Sequence, residues 1–481
     1  MRAVVLGAGL GGLCAAIKLK EAGHAVTLIE REDRVGGTWH LNRYPGCACD
    51  VRANLYQFSF APSLDWTRLY PQQREMLAYC EGLADRFGLD PRLGEEASAA
   101  RWDQAAGLWR VETDRGAYDA ELLVCALGQL NRPCWPKIDG QADYRGTLVH
   151  SAAWDEAIRH DGRRVAVVGS AASAVQIVPE VAKTAERLTV YQRTPNYIRP
   201  RGDRAVSEAE RALRRTDPAA AMTLALRDRA LLHDDSDHFL WQAFSWTEQG
   251  RAAYTQDALA HLHAQVPPGR LRDALTPDYP LGCKRVLSTD DYYPALQRGN
   301  VELVTGGVAR FAPDGLVAGD GTARPHDLVV LATGFETTGW KWSVRVEAGG
   351  ESLAERWADG AAAYKGVTVA GFPNLFLLYG PNTNVGHHSI TFMLERQAEY
   401  VVRAAERLGA EGAASLQPRA GAQDAYNAAL QERLSRTVWA DPACASWYKT
   451  EDGRITQNWG GPARDYAAAL REEDFAGYAF A

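Results

Sequence analysis

The stretch Ala3-Val4-Val5-Leu6-Gly7-Ala8-Gly9-Leu10-Gly11-Gly12 decides the fold. Its apolar start reads as a buried strand, and the glycines after it turn the chain into a helix predicted to run through about Ala22. A second strand, Ala25–Ile29, ends in Glu30. Together these make a complete βαβ unit. Gly7 supplies the tight turn, Gly9 lets the backbone reach a pyrophosphate, Gly12 lets helix and strand pack, and Glu30 can hold a ribose hydroxyl. The N-terminal domain is therefore expected to be α/β and to bind a dinucleotide.

A second such unit begins at Arg164-Val165-Ala166-Val167-Val168 and turns at Gly169-Ser170-Ala171-Ala172-Ser173-Ala174, before a helix predicted from Val175 to Ala182. Ala171 puts a methyl where a middle glycine would admit the pyrophosphate, so this signal is weaker than the first. The next strand, Leu188-Thr189-Val190-Tyr191-Gln192, ends in Arg193-Thr194 instead of an acid. A guanidinium there suits the 2′-phosphate of NADPH, and Lys284 offers a second cation; an ordinary surface arginine is the plain alternative. Gly169, Ser170, Ala171, Ser173, Arg193, Thr194 and Lys284 are the residues expected to hold NADPH.

Composition bounds the rest. A chain of 481 residues that is 46% hydrophobic can fill two or three domains, and a net charge of -7 argues against nucleic acid or anionic membranes as partners. No apolar run reaches membrane-spanning length, and glycines interrupt the start too early for a secretion signal. Of eight cysteines only Cys47 and Cys49 lie close together, at a spacing that suits neither a redox CxxC nor a zinc knuckle. All eight are expected to be reduced, space-filling thiols of a cytoplasmic protein. From about Arg199 to Pro280 the α/β alternation breaks. Glu208–Arg215, Ala219–Leu232 and Phe239–Val266 read as a helical insert, in which Trp241, Phe244 and Trp246 are candidates for a substrate-chamber wall or for plain core.

Gly36-Gly37-Thr38-Trp39-His40-Leu41-Asn42-Arg43-Tyr44-Pro45-Gly46-Cys47-Ala48-Cys49-Asp50 resembles the long fingerprint of the Baeyer–Villiger monooxygenases. Its glycine pair lets backbone approach an isoalloxazine ring, Trp39 can stack near it, and Asp50 presents a carboxylate to the reaction chamber. Tyr144-Arg145-Gly146-Thr147-Leu148-Val149-His150-Ser151-Ala152-Ala153-Trp154-Asp155 resembles the family's shorter signature, FxGxxxHxxxW, with tyrosine as its first aromatic. Related flavin monooxygenases that oxidise amines and sulfides generally carry another aromatic at Trp154, so the tryptophan favours the ketone-oxidising branch. His150 is read as a hydrogen-bonded tie between domains.

Tyr279-Pro280-Leu281-Gly282-Cys283-Lys284-Arg285 resembles the segment in which the family carries the arginine that meets the flavin peroxide. An always-charged guanidinium there would stabilise oxyanions, with Asp50 holding its fork in place. Asp327–Phe335 resembles the family's ATG-containing strand, and Leu122–Gly128 is an earlier counterpart. Tyr379–Ser389 is a polar loop, containing Asn384, that opens a helix predicted over Ile390–Leu408, whose N-terminus can support the charge of reduced flavin. Adjacent His387 and His388 have no Cys or carboxylate nearby to complete a ligand set, so no metal is expected. Cys444-Ala445-Ser446-Trp447-Tyr448 resembles the family's mobile loop, whose tryptophan covers the nicotinamide; a buried hairpin aromatic is the plain alternative.

The resemblance runs from Val4 to about Trp459 and implies an enzyme that uses FAD, NADPH and O2 to turn a ketone into an ester or lactone through a C4a-peroxyflavin. Arg285 and Asp50 would be catalytic. Gly7, Gly9, Gly12, Glu30, Gly37, Thr38, Trp39, Asp50, Tyr56 and Asn384 would bind FAD, and Trp447 the nicotinamide. The implied fold has two Rossmann-like domains: FAD on 1–155 and 336–481, NADPH on 156–335, with the helical insert at about 200–280 on the latter. Two other readings stay open: a heteroatom oxygenase acting on amines or sulfides, and a non-oxygenating flavin reductase or scaffold, which only Ala171 supports. Lack of a CxxC or CxxxxC disfavours a disulfide reductase.

Overall fold

The computed structural model describes residues 1–337 and 342–481; residues 338–341 of the expected 336–481 segment lie outside the described residues. The strand Arg2–Leu6 sits in the middle of a five-stranded parallel sheet, between Ala25–Glu30 and Leu122–Cys125, with Leu375–Leu377 and Arg92–Leu93 at the edges. Both faces are covered, which is why these strands read as unbroken apolar runs. On one face the helix Leu10–Glu21 packs against the long helix Ile390–Glu411, burying Leu13, Cys14, Met393 and Ala398. On the other, Val4, Leu6 and Leu123 meet Trp102, Trp109 and Val111 of an antiparallel meander, Ala97–Asp103, Leu108–Thr113 and Gly116–Ala120. Elements from both ends of the chain thus build one unit.

The second unit is also a five-stranded parallel sheet, ordered Val301–Thr305, Arg187–Gln192, Arg164–Val168, Leu328–Leu331, Thr147–His150. Its edge strand lies upstream of the boundary expected at 155. The ladder pairing Leu331 with His150 assigns Thr147–His150 to the second unit, because backbone hydrogen bonding, not motif position, decides sheet membership. The expected tie between domains by His150 is instead a bond between two segments of the second unit: its Nε2 donates to Gly334 O at 3.1 Å while its Nδ1 accepts from Ala152 N at 3.1 Å. Burial lowers its pKa below the usual range.

Two expectations about the insert change. The predicted Phe239–Val266 helix is interrupted. A 3₁₀ turn, Leu240–Phe244, is followed by Ser245-Trp246 and a fresh helix, Glu248–Gln265, whose start is capped by Thr247 Oγ1 accepting from Gly250 N at 3.1 Å. Trp246 is 45% exposed, so it is not plain core. Nor is the insert confined to the second unit. From the helix Pro218–His238, Arg229 donates to Gln57 O at 2.7 Å and Asp237 accepts from Ala463 N at 2.7 Å, so it binds both chain ends of the first unit.

The cysteine expectation is also corrected. Cys283 and Cys444 form a disulfide across 161 residues, a pairing no local spacing could reveal, while the other six cysteines are free. Among the described residues no helix is long and apolar enough to cross a membrane.

Candidate active site

Glycine is required at two points of the first turn and at one point of the fingerprint loop that meets it. A Cβ on Gly7, at φ +95°, would lie 2.7 Å from Ala126 O, one on Gly12 would overlap Gly7 O at 1.7 Å, and one on Gly37 would stand 3.0 Å from Gly9 Cα. The last contact shows the two glycine loops meeting at the start of the helix Leu10–Glu21, an end whose first N–H groups have no intrahelical acceptor and suit an anion. Glu30 is buried at the end of its strand, its carboxylate fixed by Ala8 N at 2.6 Å and Glu32 N at 3.0 Å. The cradle suits the pyrophosphate and ribose of a dinucleotide.

The second cradle repeats this with a substitution. A Cβ on Gly169, at φ +124°, would lie 2.3 Å from Ala332 O. Ala171 is exposed, and its carbonyl accepts the amide of Val175 at 3.0 Å, so its methyl stands on the surface of the turn. Ser173 is the cap residue of the helix Ala174–Val181. Ser170 Oγ donates to Thr194 O at 2.9 Å and Asn196 Nδ2 to Ser170 O at 2.9 Å, locking the turn to the strand end that presents Arg193. Lys284 Nζ stands 4.5 Å from the Tyr279 ring centroid. Burial first, and then the charge of Arg193, push the Lys284 ammonium below its usual range. Among the described residues neither cation has an ion-pair partner within 4 Å, so two like charges converge where the sequence places a phosphate.

The fingerprint loop is clamped between the units. A Cβ on Gly46, at φ +79°, would lie 2.5 Å from Gln176 O on the second unit's helix, which is why the turn after Pro45 needs glycine. Gln176 Nε2 donates to Ala48 O at 2.9 Å and its Oε1 accepts from Tyr44 OH at 3.1 Å. This clamp delivers Asp50 to the junction, where Arg285 Nε at 3.0 Å and Nη2 at 2.5 Å both donate to Asp50 Oδ2. The two side chains are 36% and 31% exposed, a pair that is open on one side. Burial alone would raise the Asp50 carboxyl, but the charge and hydrogen bonds of Arg285, with Arg201 behind, hold it below the usual carboxylate range. The same attraction raises Arg285 further above an already high value, so it stays charged.

Several of the other expected residues close around this pair. The Trp39 ring meets Tyr56 edge-on at 5.8 Å, and Trp39 O accepts from Gln73 Nε2, while Thr38 opens the short helix Thr38–Leu41 and accepts from Asn42 Nδ2 at 2.9 Å. Asn384 is buried, accepting from Tyr379 OH at 2.6 Å and donating to Asn458 Oδ1 at 2.6 Å. Trp447 is 39% exposed, which departs from the buried-hairpin alternative; its neighbour Tyr448 is the buried ring, 4.4 Å away. Burial pushes the Tyr448 phenol up to about 12 against the pull of the Arg285 charge, and burial raises Tyr379 in the same way. Sequence reasoning assigned no role to Tyr379, Tyr448, Asn458 or Gln176. The one available signal was the position of Tyr379 and Tyr448 inside motifs read for Asn384 and Trp447.

The aromatic candidates of the insert divide. Phe244 is buried against Trp439 at 5.0 Å, and a Cβ on Gly386 would strike it at 2.6 Å. Trp241 faces His387 at 5.1 Å. His388 accepts the Ser389 amide on Nδ1 and therefore donates from Nε2 to His233 Nδ1 at 2.8 Å. Among the described residues no cluster of three His, Cys, Asp or Glu could hold a metal.

Two dinucleotide cradles facing one Arg–Asp pair define a two-nucleotide oxidoreductase, and residues 4–208 match the pyridine nucleotide-disulphide oxidoreductase family. More narrowly, the chain belongs to the Baeyer–Villiger monooxygenases. It is 42% identical over 483 residues to a Baeyer-Villiger monooxygenase of Streptomyces coelicolor, covering 99% of this chain and 92% of that one. Among solved structures it is similar to an oxidized steroid monooxygenase bound to NADP, with a TM-score of 0.88, 30% identity and 100% and 99% of the two chains covered. It is likewise similar to OTEMO in complex with FAD and NADP, at a TM-score of 0.88 and 25% identity, with 100% and 99% covered.

Proposed function

We propose that the chain binds FAD in the first cradle and NADPH in the second, and inserts one atom of O2 beside a ketone carbonyl to release an ester or lactone. The observation that carries this reading is Arg285. Its Nε and Nη2 are taken by Asp50, and among the described residues its Nη1 makes no hydrogen bond, so one charged donor is left to face a reacting oxygen. Attack on a ketone turns the carbonyl oxygen into an oxyanion, and a fixed guanidinium stabilises that charge where it develops. Asp50 orients the guanidinium and balances it between turnovers.

The remaining roles follow from the cradles. When bound, the flavin supplies oxygen activation and the nicotinamide supplies hydride. Gly7, Gly9 and Gly12 admit the flavin nucleotide's pyrophosphate, Glu30 takes a ribose hydroxyl, and Gly37, Thr38, Trp39, Tyr56 and Asn384 border the ring. Gly169, Ser170, Ala171 and Ser173 receive the NADPH pyrophosphate, Arg193, Thr194 and Lys284 its 2′-phosphate end, and Trp447 shields the nicotinamide. The FAD unit takes both chain ends, and the NADPH unit runs from Thr147 to Phe335. The steroid monooxygenase likeness and the aromatic cluster of Trp241, Phe244 and Trp439 support an apolar ketone as substrate. The net charge of -7 supports small molecules, not nucleic acid or anionic membranes, as partners.

The test is turnover of a ketone panel with NADPH under ¹⁸O₂, read by mass spectrometry. Esters carrying one labelled oxygen are expected. Sulfoxides from thioethers without any ester would replace the reading by a heteroatom oxygenase, and hydrogen peroxide alone would replace it by a reductase.

A further inference from the structure

Arg285 is carried by a segment with little regular structure of its own. Between the helix Arg270–Leu275 and the two-residue strand Leu287–Ser288, the chain is held at Gly282 and Cys283. Gly282 sits at φ +89° and a Cβ there would lie 2.2 Å from Ala243 O, so the backbone is pressed against the insert. Its carbonyl accepts from Trp439 Nε1 at 3.0 Å. The next residue, Cys283, is bonded to Cys444, with 5.3 Å between the Cα atoms and both side chains fully buried. Two residues beyond Cys283 stands Arg285, and four beyond Cys444 stands Tyr448, the phenol that Arg285 pulls on. Lys449 Nζ then donates to Trp439 O and Asp441 O at 3.3 and 3.2 Å, closing the segment on itself.

We propose that the Cys283–Cys444 bridge is a positioning crosslink for the oxygenation step: it fixes the Arg285 segment to the Tyr448 segment, so that the guanidinium stands in one place when the ketone oxygen becomes an oxyanion. Asp50 holds Arg285 from the first unit, and the bridge holds its backbone from the C-terminal region. Lys284 and Trp447, given above to NADPH, lie close after the two cysteines in sequence, so loss of the bridge raises the NADPH concentration needed, whereas hydride delivery at saturating NADPH needs no cation beside Asp50 and is kept. Coupling of NADPH consumption to product thereby follows the thiol–disulfide state of the enzyme. This inference rests on the role given to Arg285 above.

The experiment uses the FAD-loaded full chain. Thiol titration in denaturant should find six free thiols in the untreated enzyme and eight after reduction. A phosphine reductant supplies the two electrons and leaves as its oxide, while one water supplies the oxide's oxygen and the two protons that go to the sulfurs. Reduced enzyme, and Cys444→Ser, should keep the anaerobic rate of flavin reduction at saturating NADPH within about twofold, yet divert most NADPH to hydrogen peroxide and lose ester formation by about tenfold or more, the scale of a misplaced group. Reoxidation with diamide, which takes up the two hydrogens, should return the wild type to six thiols and restore coupling, a rescue that a misfolded variant would not show. Eight thiols in the untreated and diamide-treated enzyme would remove the bridge. Equal coupling with and without it would reduce the bridge to a stability staple. A wild type with six thiols that forms no ester would instead overturn the functional reading, which separates the two failures.

Discussion

At Arg285 the geometry makes a distinction that kinetics can read. Hydride transfer creates no charge beside Asp50, whereas attack on a carbonyl does, so Arg285→Ala is expected to leave anaerobic flavin bleaching by NADPH intact. Ester formation should fall by about a hundredfold or more, the usual cost of removing one charge-stabilising donor, with hydrogen peroxide in its place. Asp50→Ala should show a milder uncoupling, because the guanidinium remains but two of its donors lose their acceptor. Ester formation by Arg285→Ala at the wild-type rate in rapid mixing would refute the role. Both residues were legible in the sequence, since each falls inside a motif. Gln176 was not, and Tyr448 was marked only by lying inside the motif read for Trp447. What places them is a tertiary approach, of Cys444 to Cys283 and of the second unit's helix to Gly46, that leaves no local pattern.

Among the elements, the second cradle carries the nucleotide preference. Arg193 and Lys284 have, among the described residues, no ion-pair partner within 4 Å, and Lys284 is depressed by burial and by its neighbour's charge against the opposite pull of Asp278, so an incoming phosphate relieves that repulsion. A charge-assisted contact is typically worth about 1.5–3 kcal/mol, so NADPH should be preferred over NADH by more than about tenfold in kcat/KM. Arg193→Ala with Lys284→Ala should abolish that preference; equal use of both nicotinamides by the wild type would sink the assignment. Ala171→Gly should leave the preference unchanged, because the Ala171 methyl stands on the surface of the turn. The βαβ units were readable because their glycines answer to clashes within one turn, such as Gly12 against Gly7 O. The break at Ser245-Trp246 was not, because Thr247 caps a new helix in a stretch whose composition is helical throughout. Cysteine pairing was equally hidden, and in the chain-entropy view a loop of 161 residues makes that bridge worth about 5 kcal/mol of stability, which thermal unfolding of Cys444→Ser would register as a large drop in Tm.

For the whole molecule, burial of histidine couples the fold to pH. His326, bonded to Tyr191 OH at 3.0 Å in the second unit, is lowered by burial to about 4. Where the insert meets the first unit, burial lowers His388 to about 4 and His233 and His387 to about 3. In each case the unfolded chain, with an imidazole near 6.5, binds the proton more readily than the folded one. Their contribution is therefore complete above about pH 6.5 and is lost progressively as pH falls from there toward about 4. The depressed carboxylates act lower: Asp327, held to about 2 by Arg164, contributes fully above about 3.9 and is lost only as pH falls toward 2. Stability should accordingly be level above neutrality and begin to fall near pH 6.5, well before carboxylates titrate. Each imidazole that takes up a proton on unfolding steepens the fall by about 1.4 kcal/mol per pH unit. Scanning calorimetry from pH 8 to pH 4 checks this, and His326→Gln, which keeps a hydrogen-bonding group beside Tyr191 without the titration, should make the slope shallower. A Tm that stays flat between pH 7 and 5 would mean that these imidazoles are not neutral and buried in the native enzyme.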